Sequence, residues 1–201
     1  MTEQDGRYRL YGVPPTAEIR VTKAEYQPVT QTVSLSDHQT QNFTLTPTAP
    51  RADFAGTYTL SISAADQCRD RLPQEAWTRR YAARVTQSGP LLDVSLSGGT
   101  FVVDAVGKGD GFRGRIEPGR VLFTLDYGDF DYYRIWPDIV EEINPSLYFG
   151  VWGAVSAAVT PGNLSGNLSG TFFTVIRDPR NSNPAPTSSC NSVLHQFVLQ
   201  R

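Results

Sequence analysis

From Asp53 onward, apolar and polar residues alternate with the two-residue period of a strand that buries one face. Tyr58, Leu60 and Ile62 alternate with Thr57, Thr59 and Ser61. Tyr81, Ala83 and Val85 stand against Arg80, Arg84 and Thr86, and Leu92, Val94 and Leu96 against Asp93, Ser95 and Ser97. Phe112, Gly114 and Ile116 alternate with Arg113, Arg115 and Glu117, and Val121, Phe123 and Leu125 repeat the pattern. Apolar segments follow at Leu147 to Val159, Leu164 to Ile176 and Val193 to Leu199. Turn signals separate these runs: Ser88-Gly89-Pro90, Gly98-Gly99, Gly107 to Gly111, Pro118-Gly119 and Pro161-Gly162. Hairpins at this regularity predict an all-β antiparallel meander.

About eight or nine strands over residues 53–201 suit an up-and-down β-barrel, which leaves no open sheet edge. In size the segment is loosely similar to lipocalin and avidin barrels. A two-sheet sandwich is the alternative. One short segment, Pro137 to Ile143, is the only helical candidate. Gly162-Asn163-Leu164-Ser165-Gly166-Asn167-Leu168-Ser169-Gly170 is a tandem four-residue repeat. Its even period keeps Leu164 and Leu168 on one face, and glycines on that face point to a coiled or closely approached strand.

Of the two cysteines, Cys68 follows the first barrel strand and Cys190 precedes the last. In a closed meander the first and last strands are neighbours, so the pair can meet and form a disulfide. A bridge closing so long a loop stabilises by roughly 4–5 kcal/mol on chain-entropy grounds. It implies an oxidising, extracytoplasmic setting. Met1 to Gly6 is polar and acidic and does not read as a signal peptide. The expectation is therefore a chain that lacks its native N-terminus.

Residues 7–46 are organised differently. Arg7 to Val13, Ala17 to Val21, Gln31 to Leu35 and Asn42 to Leu45 read as four short alternating strands. Thr46-Pro47-Thr48-Ala49-Pro50-Arg51 reads as a semi-rigid spacer. The domain organisation is thus 1–46, a linker 47–52, and 53–201. Asp5-Gly6-Arg7-Tyr8-Arg9-Leu10-Tyr11-Gly12-Val13-Pro14-Pro15, Glu25-Tyr26 and Asn42-Phe43-Thr44-Leu45 together resemble the C-terminal part of a carboxypeptidase regulatory-like domain. Thr16 and Glu25 stand where that family carries glycine. The resemblance covers residues 5–46 and implies a truncated, transthyretin-like β-sandwich module related to carbohydrate-binding folds. Lacking its opening strands, such a module would expose a sheet edge that pairs with upstream residues or another chain.

Composition excludes several activities. Lys+Arg is 18 and Asp+Glu is 20, with no basic cluster, so nothing marks a nucleic-acid partner. No apolar run is long enough for a transmembrane helix, so no membrane insertion is expected. There are two histidines, His38 and His195, and neither has metal-ligand or catalytic-triad spacing. His195 reads as a satisfied sheet histidine. No metal, cofactor or catalytic residue is expected.

The most unusual segment is Asp126-Tyr127-Gly128-Asp129-Phe130-Asp131-Tyr132-Tyr133. Its carboxylates could hold Ca²⁺, but the order of an EF-hand loop is missing, and an acidic turn is the plainer reading. Trp77, Trp136 and Trp152, with Tyr127, Tyr132, Tyr133 and Tyr148, could provide flat aromatic faces for sugar rings, with Asp129 and Asp131 accepting from hydroxyls. The candidate ligand site is Trp136, Trp152, Tyr132, Tyr133, Asp129 and Asp131. The expected function is a non-enzymatic extracytoplasmic binding or accessory module with carbohydrate as ligand. The alternatives are a lipocalin-like carrier of a small apolar ligand in a cavity lined by Tyr58, Leu60, Leu92 and Phe123, and a purely structural accessory domain of the cell envelope.

Overall fold

The computed structural model describes residues 8–23, 26–34, 40–46, 48, 52–103, 109–125, 137–176 and 186–201. The chain divides into two compact units, Met1–Ala52 and Asp53–Arg201.

In the first unit, β1 (Thr16–Val21) and β2 (Val29–Ser34) form an antiparallel pair with Thr16 opposite Ser34 and Val21 opposite Val29. Among the described residues β1 pairs only with β2. The strands expected at 7–13 and 42–45 are not strands over the described residues. Their alternation is intact, but a strand is defined by a ladder, and here side chains make the link instead. The Tyr8 hydroxyl donates to the Gln41 carbonyl at 2.9 Å, and the Tyr8 and Phe43 rings lie 6.2 Å apart.

Among the described residues the second unit holds nine antiparallel strands: β3 (Gly56–Ser63), β4 (Thr78–Ser88), β5 (Leu91–Ser97), β6 (Gly111–Glu117), β7 (Arg120–Leu125), β8 (Ile139–Asn144), β9 (Leu147–Thr160), β10 (Asn163–Val175) and β11 (Ser188–Gln200). Eight of them close in the order β3-β4-β5-β6-β7-β9-β10-β11, with β11 returning to β3. The barrel, not the sandwich, is therefore the architecture. Pure up-and-down order is broken once. β7 pairs with Gly153 to Ala158 of β9, whereas β8 pairs with Leu147 to Val151 of the same strand. A fourteen-residue β9 is long enough to serve both.

Within the segment 137–143, the residues from Ile139 onward are thus strand, not helix. Ile139, Val140 and Ile143 are β-branched and favour the extended chain. The Asn144-Pro145-Ser146 turn then folds β8 onto β9, with the Ser146 N–H donating to Asn144 Oδ1 at 2.9 Å. The short helical turns lie elsewhere. Two 3₁₀ turns, Asp66–Cys68 and Gln74–Ala76, fill the β3–β4 connection.

Tyr58, Leu60, Leu92 and Phe123, the positions expected to line a cavity, are buried in one continuous core. The Phe112, Phe123 and Phe197 rings meet one another at 5.2 to 5.9 Å between centroids. Tight turns close one end. Pro118-Gly119 and Pro161-Gly162 each join two strands with glycine at positive φ, which a side chain disfavours. Arg201 reaches across this end to the Ala55 carbonyl and over the Tyr58 ring.

The glycine repeat lies in β10. Leu164 and Leu168 point inward and are buried. A Cβ on Gly166 or Gly170 would run into the backbone of Ser156–Ala157 or Trp152–Gly153, so these glycines let β9 and β10 approach more closely than side chains permit.

Candidate functional site

At the other end of the barrel β3, β5, β7 and β10 finish and β4, β6, β8 and β11 begin. Two devices close it. The first is the β3–β4 segment, whose Ala64, Ala65, Cys68, Leu72 and Ala76 are buried in the core. Cys68, in a 3₁₀ turn, is bonded to Cys190 of β11 with 5.6 Å between Cα atoms. Cys190 lies inside the last strand rather than before it, because β11 starts at Ser188.

A β-bulge in β11 makes this staple compatible with the core. Leu168 faces His195 and Gly170 faces Ser192, so Val193 and Leu194 together oppose Ser169. The extra residue reverses the in/out parity. Cys190 and Ser192 point inward before the bulge, and His195, Phe197 and Leu199 after it. Val193, two residues before His195 and so on the same face of an unbroken strand, is instead 62% exposed. The bulge is tied locally by the Leu194 N–H donating to Ser192 Oγ at 3.0 Å.

His195 is fully buried. Its Nδ1 accepts from the Ala65 N–H at 3.0 Å, so the neutral ring carries its proton on Nε2. Nε2 makes no hydrogen bond among the described residues. The ring stacks on Phe172 at 4.1 Å and 7°. Burial lowers its pKa, against a smaller opposing effect of the Cys190 and Gly170 carbonyls. A ring engaged at one nitrogen and buried at the other packs the core and anchors the β3–β4 segment.

The second device is a buried polar clasp. Glu141 of β8 is 4% exposed. Arg79 Nε donates to Glu141 Oε2 at 2.7 Å while Arg79 Nη2 donates to Oε1, a two-pronged pair. The Tyr81 hydroxyl donates to the same Oε2 at 2.8 Å. Both partners lie on β4, so the clasp ties β8 to the opposite side of the opening. Burial, then the Glu141 charge, pushes the Tyr81 phenol well above its ordinary range, so it remains a donor. The Arg79 pKa is raised: burial opposes it, and the Glu141 hydrogen bond and charge outweigh that. Phe101 packs on Tyr81 at 5.1 Å. Every oxygen of the carboxylate faces a donor, an arrangement that holds a strand in place. In the sequence Tyr81 reads only as an inward strand residue, and neither Arg79 nor Glu141 is singled out. The available signal was a carboxylate set among β-branched residues, Ile139-Val140-Glu141-Glu142-Ile143.

The aromatic candidates separate. Asp126 to Tyr133 and Trp136, and with them Asp129, Asp131, Tyr132 and Tyr133, lie outside the described residues, as does His38. Trp77 belongs to the β3–β4 closure: its Nε1 donates to the Leu72 carbonyl at 2.9 Å, and Arg69 lies over its ring at 5.5 Å. Tyr148 is buried in a small second cluster with Val102, Val140 and Val175. Trp152 is different. It is half-buried on β9, pairs with Thr171, and Thr171 pairs in turn with Asn191. The Asn191 amide donates to Thr171 Oγ1 at 2.8 Å. An indole, a hydroxyl and an amide thus lie in a row across three strands on the outer wall. Gly153, the next residue, faces Leu125, the last residue of β7 before the acidic-aromatic segment.

Among the described residues no three His, Cys, Asp or Glu side chains group as metal ligands. No helix among them is long and apolar enough to cross a membrane. On β4 to β6 the barrel carries Arg80, Arg84, Asp93, Arg113 and Arg115 on its outward face, with apolar side chains inside. Comparisons with protein-family models, with curated proteins and with solved structures gave no match.

Proposed function

We propose that the chain is a non-enzymatic binding or accessory module of an extracytoplasmic compartment, with carbohydrate as its ligand class. The observation that carries this reading is the row Trp152–Thr171–Asn191 on the outer wall. A flat indole suits the C–H face of a sugar ring, and neighbouring hydroxyl and amide groups suit its hydroxyls. The Cys68–Cys190 disulfide supports the compartment, since such bridges persist where thiols are not kept reduced. The packed aromatic interior favours a ligand held on the outside of the barrel over one carried within it.

In the same reading, residues 5–46 act as an accessory β-module of carboxypeptidase regulatory-like type. The outer edge of β1 takes a further strand from another chain.

A glycan array probed with the wild-type chain and with Trp152→Ala tests the proposal. Binding to a restricted set of glycans, lost in Trp152→Ala, is expected. Silence of the wild-type chain across the array would overturn carbohydrate as the ligand class and leave a structural accessory role.

A further inference from the structure

Charge is divided sharply around the barrel. The four neighbouring strands β9, β10, β11 and β3 contain no Asp, Glu, Lys or Arg. The strands β4 to β7 on the other side carry Arg79, Arg80, Arg84, Asp93, Arg113, Arg115, Glu117 and Arg120. Both halves contribute apolar side chains to one continuous core, so the core does not require this division.

The uncharged wall is ordered. Asn167 of β10 faces Gln196 of β11, which faces Ser63 of β3. The Gln196 amide donates to Asn167 Oδ1 at 3.2 Å. One row on, Ser169 faces Ala154 of β9 and the exposed bulge pair Val193 and Leu194. The next row is Trp152–Thr171–Asn191. Hydroxyls and amides thus recur at strand spacing, interrupted by two apolar patches, the indole and the bulge.

Resting on the carbohydrate reading above, we infer that this wall is the docking surface and that its occupant is an uncharged polysaccharide chain. Neutral sugars offer hydroxyl donors and acceptors with apolar ring faces and no charge, which is the complement of this wall. A protein partner fits it less well, because interface cores are rich in aromatic residues and Arg and poor in Ser. An anionic polymer would select the arginine-bearing wall instead.

Affinity electrophoresis of the full chain through soluble neutral glucan, mannan and xylan, with polygalacturonate as the anionic control, tests the inference. At least one neutral polymer is expected to retard the chain equally at about 50 mM and about 500 mM NaCl, since no ion pair is involved. Ser169→Arg and Asn167→Lys are expected to weaken that binding by about tenfold or more, while Arg113→Ser on the far wall leaves it unchanged. Thermal melts check that the variants fold. Loss of binding in Trp152→Ala with full retention in both Ser169→Arg and Asn167→Lys would overturn the wall and leave the carbohydrate reading standing. Salt-sensitive retardation by polygalacturonate alone would also overturn the wall. No retardation of the wild-type chain by any polymer would overturn both readings. Concentration-dependent self-association abolished by Ser169→Arg would then assign the wall to a second copy of the chain.

Discussion

Replacing Arg79 by Met removes the cation of the clasp and leaves Glu141, 4% exposed, with Tyr81 as its remaining side-chain donor among the described residues. Breaking one side of a buried ion pair costs about 3–5 kcal/mol, because the surviving charge is left without compensation. The Arg79 side chain is 23% exposed, so water replaces part of what it supplied. The expected loss is therefore at the lower end, about 3 kcal/mol at pH 7. For a barrel of this size that is a fall in Tm of roughly 6–12 °C. Glu141→Leu should cost a similar amount, since it leaves a guanidinium and a phenol facing an apolar group. The double variant Arg79→Met/Glu141→Leu should cost no more than either single change. Chemical denaturation of all four proteins closes a double-mutant cycle. A coupling of about 2 kcal/mol or more is expected. Additive losses, with a coupling below about 0.5 kcal/mol, are what exposed pairs give. That result would refute the clasp.

Reducing the Cys68–Cys190 bridge, or replacing both cysteines with Ala, should destabilise the barrel by roughly 4–5 kcal/mol, read as a shift in urea midpoint; an unchanged midpoint would mean that the bridge does not constrain the unfolded chain. His195 gives a pH test. Its pKa is lower in the folded state, so the unfolded chain binds more protons just below the ordinary histidine value of about 6.5. Stability should therefore be complete above that pH and fall as pH drops from there toward the depressed folded value. His195→Gln should flatten this part of the Tm–pH curve, and an equally steep fall in that variant would place the titration elsewhere. Gly170→Ala should lower Tm, because its methyl would enter the Trp152–Gly153 backbone; an unchanged melt would show that β9 and β10 can separate at little cost. Phe123→Ala should cost about 3–5 kcal/mol by denaturant unfolding, and a loss below 1 kcal/mol would indicate a loosely filled interior.

Much of the barrel was legible because one physical rule wrote it. Half-buried strands alternate, and Tyr58 to Ile62, Tyr81 to Val85 and Leu92 to Leu96 are buried in the register their alternation predicts. The disulfide was legible for the same reason, since closure makes β11 the neighbour of β3. What failed was what alternation does not encode. A bulge of one residue turned Val193 outward and kept His195 inward, and its cost and benefit are both tertiary. Ile139 to Ile143 has no clean period, so its strand state came from pairing with β9 and from the clasp. The strands read at 7–13 and 42–45 alternate correctly but find no ladder among the described residues. Of the candidate site, the sequence singled out Trp152 but not its row. Thr171 and Asn191 become its neighbours only through β9–β10–β11 pairing. The uncharged stretch from Pro145 to Ile176 was in plain view. Its meaning depended on knowing that β9, β10, β11 and β3 adjoin.

The most direct test of the account is an NMR titration of the ¹⁵N-labelled chain with the neutral polysaccharide fragment that binds best. Amide shifts confined to β9, β10, β11 and β3, centred on Trp152, Thr171 and Asn191, are the predicted result. Shifts confined to β4 to β7 would contradict it, as would no shifts at all at saturating ligand.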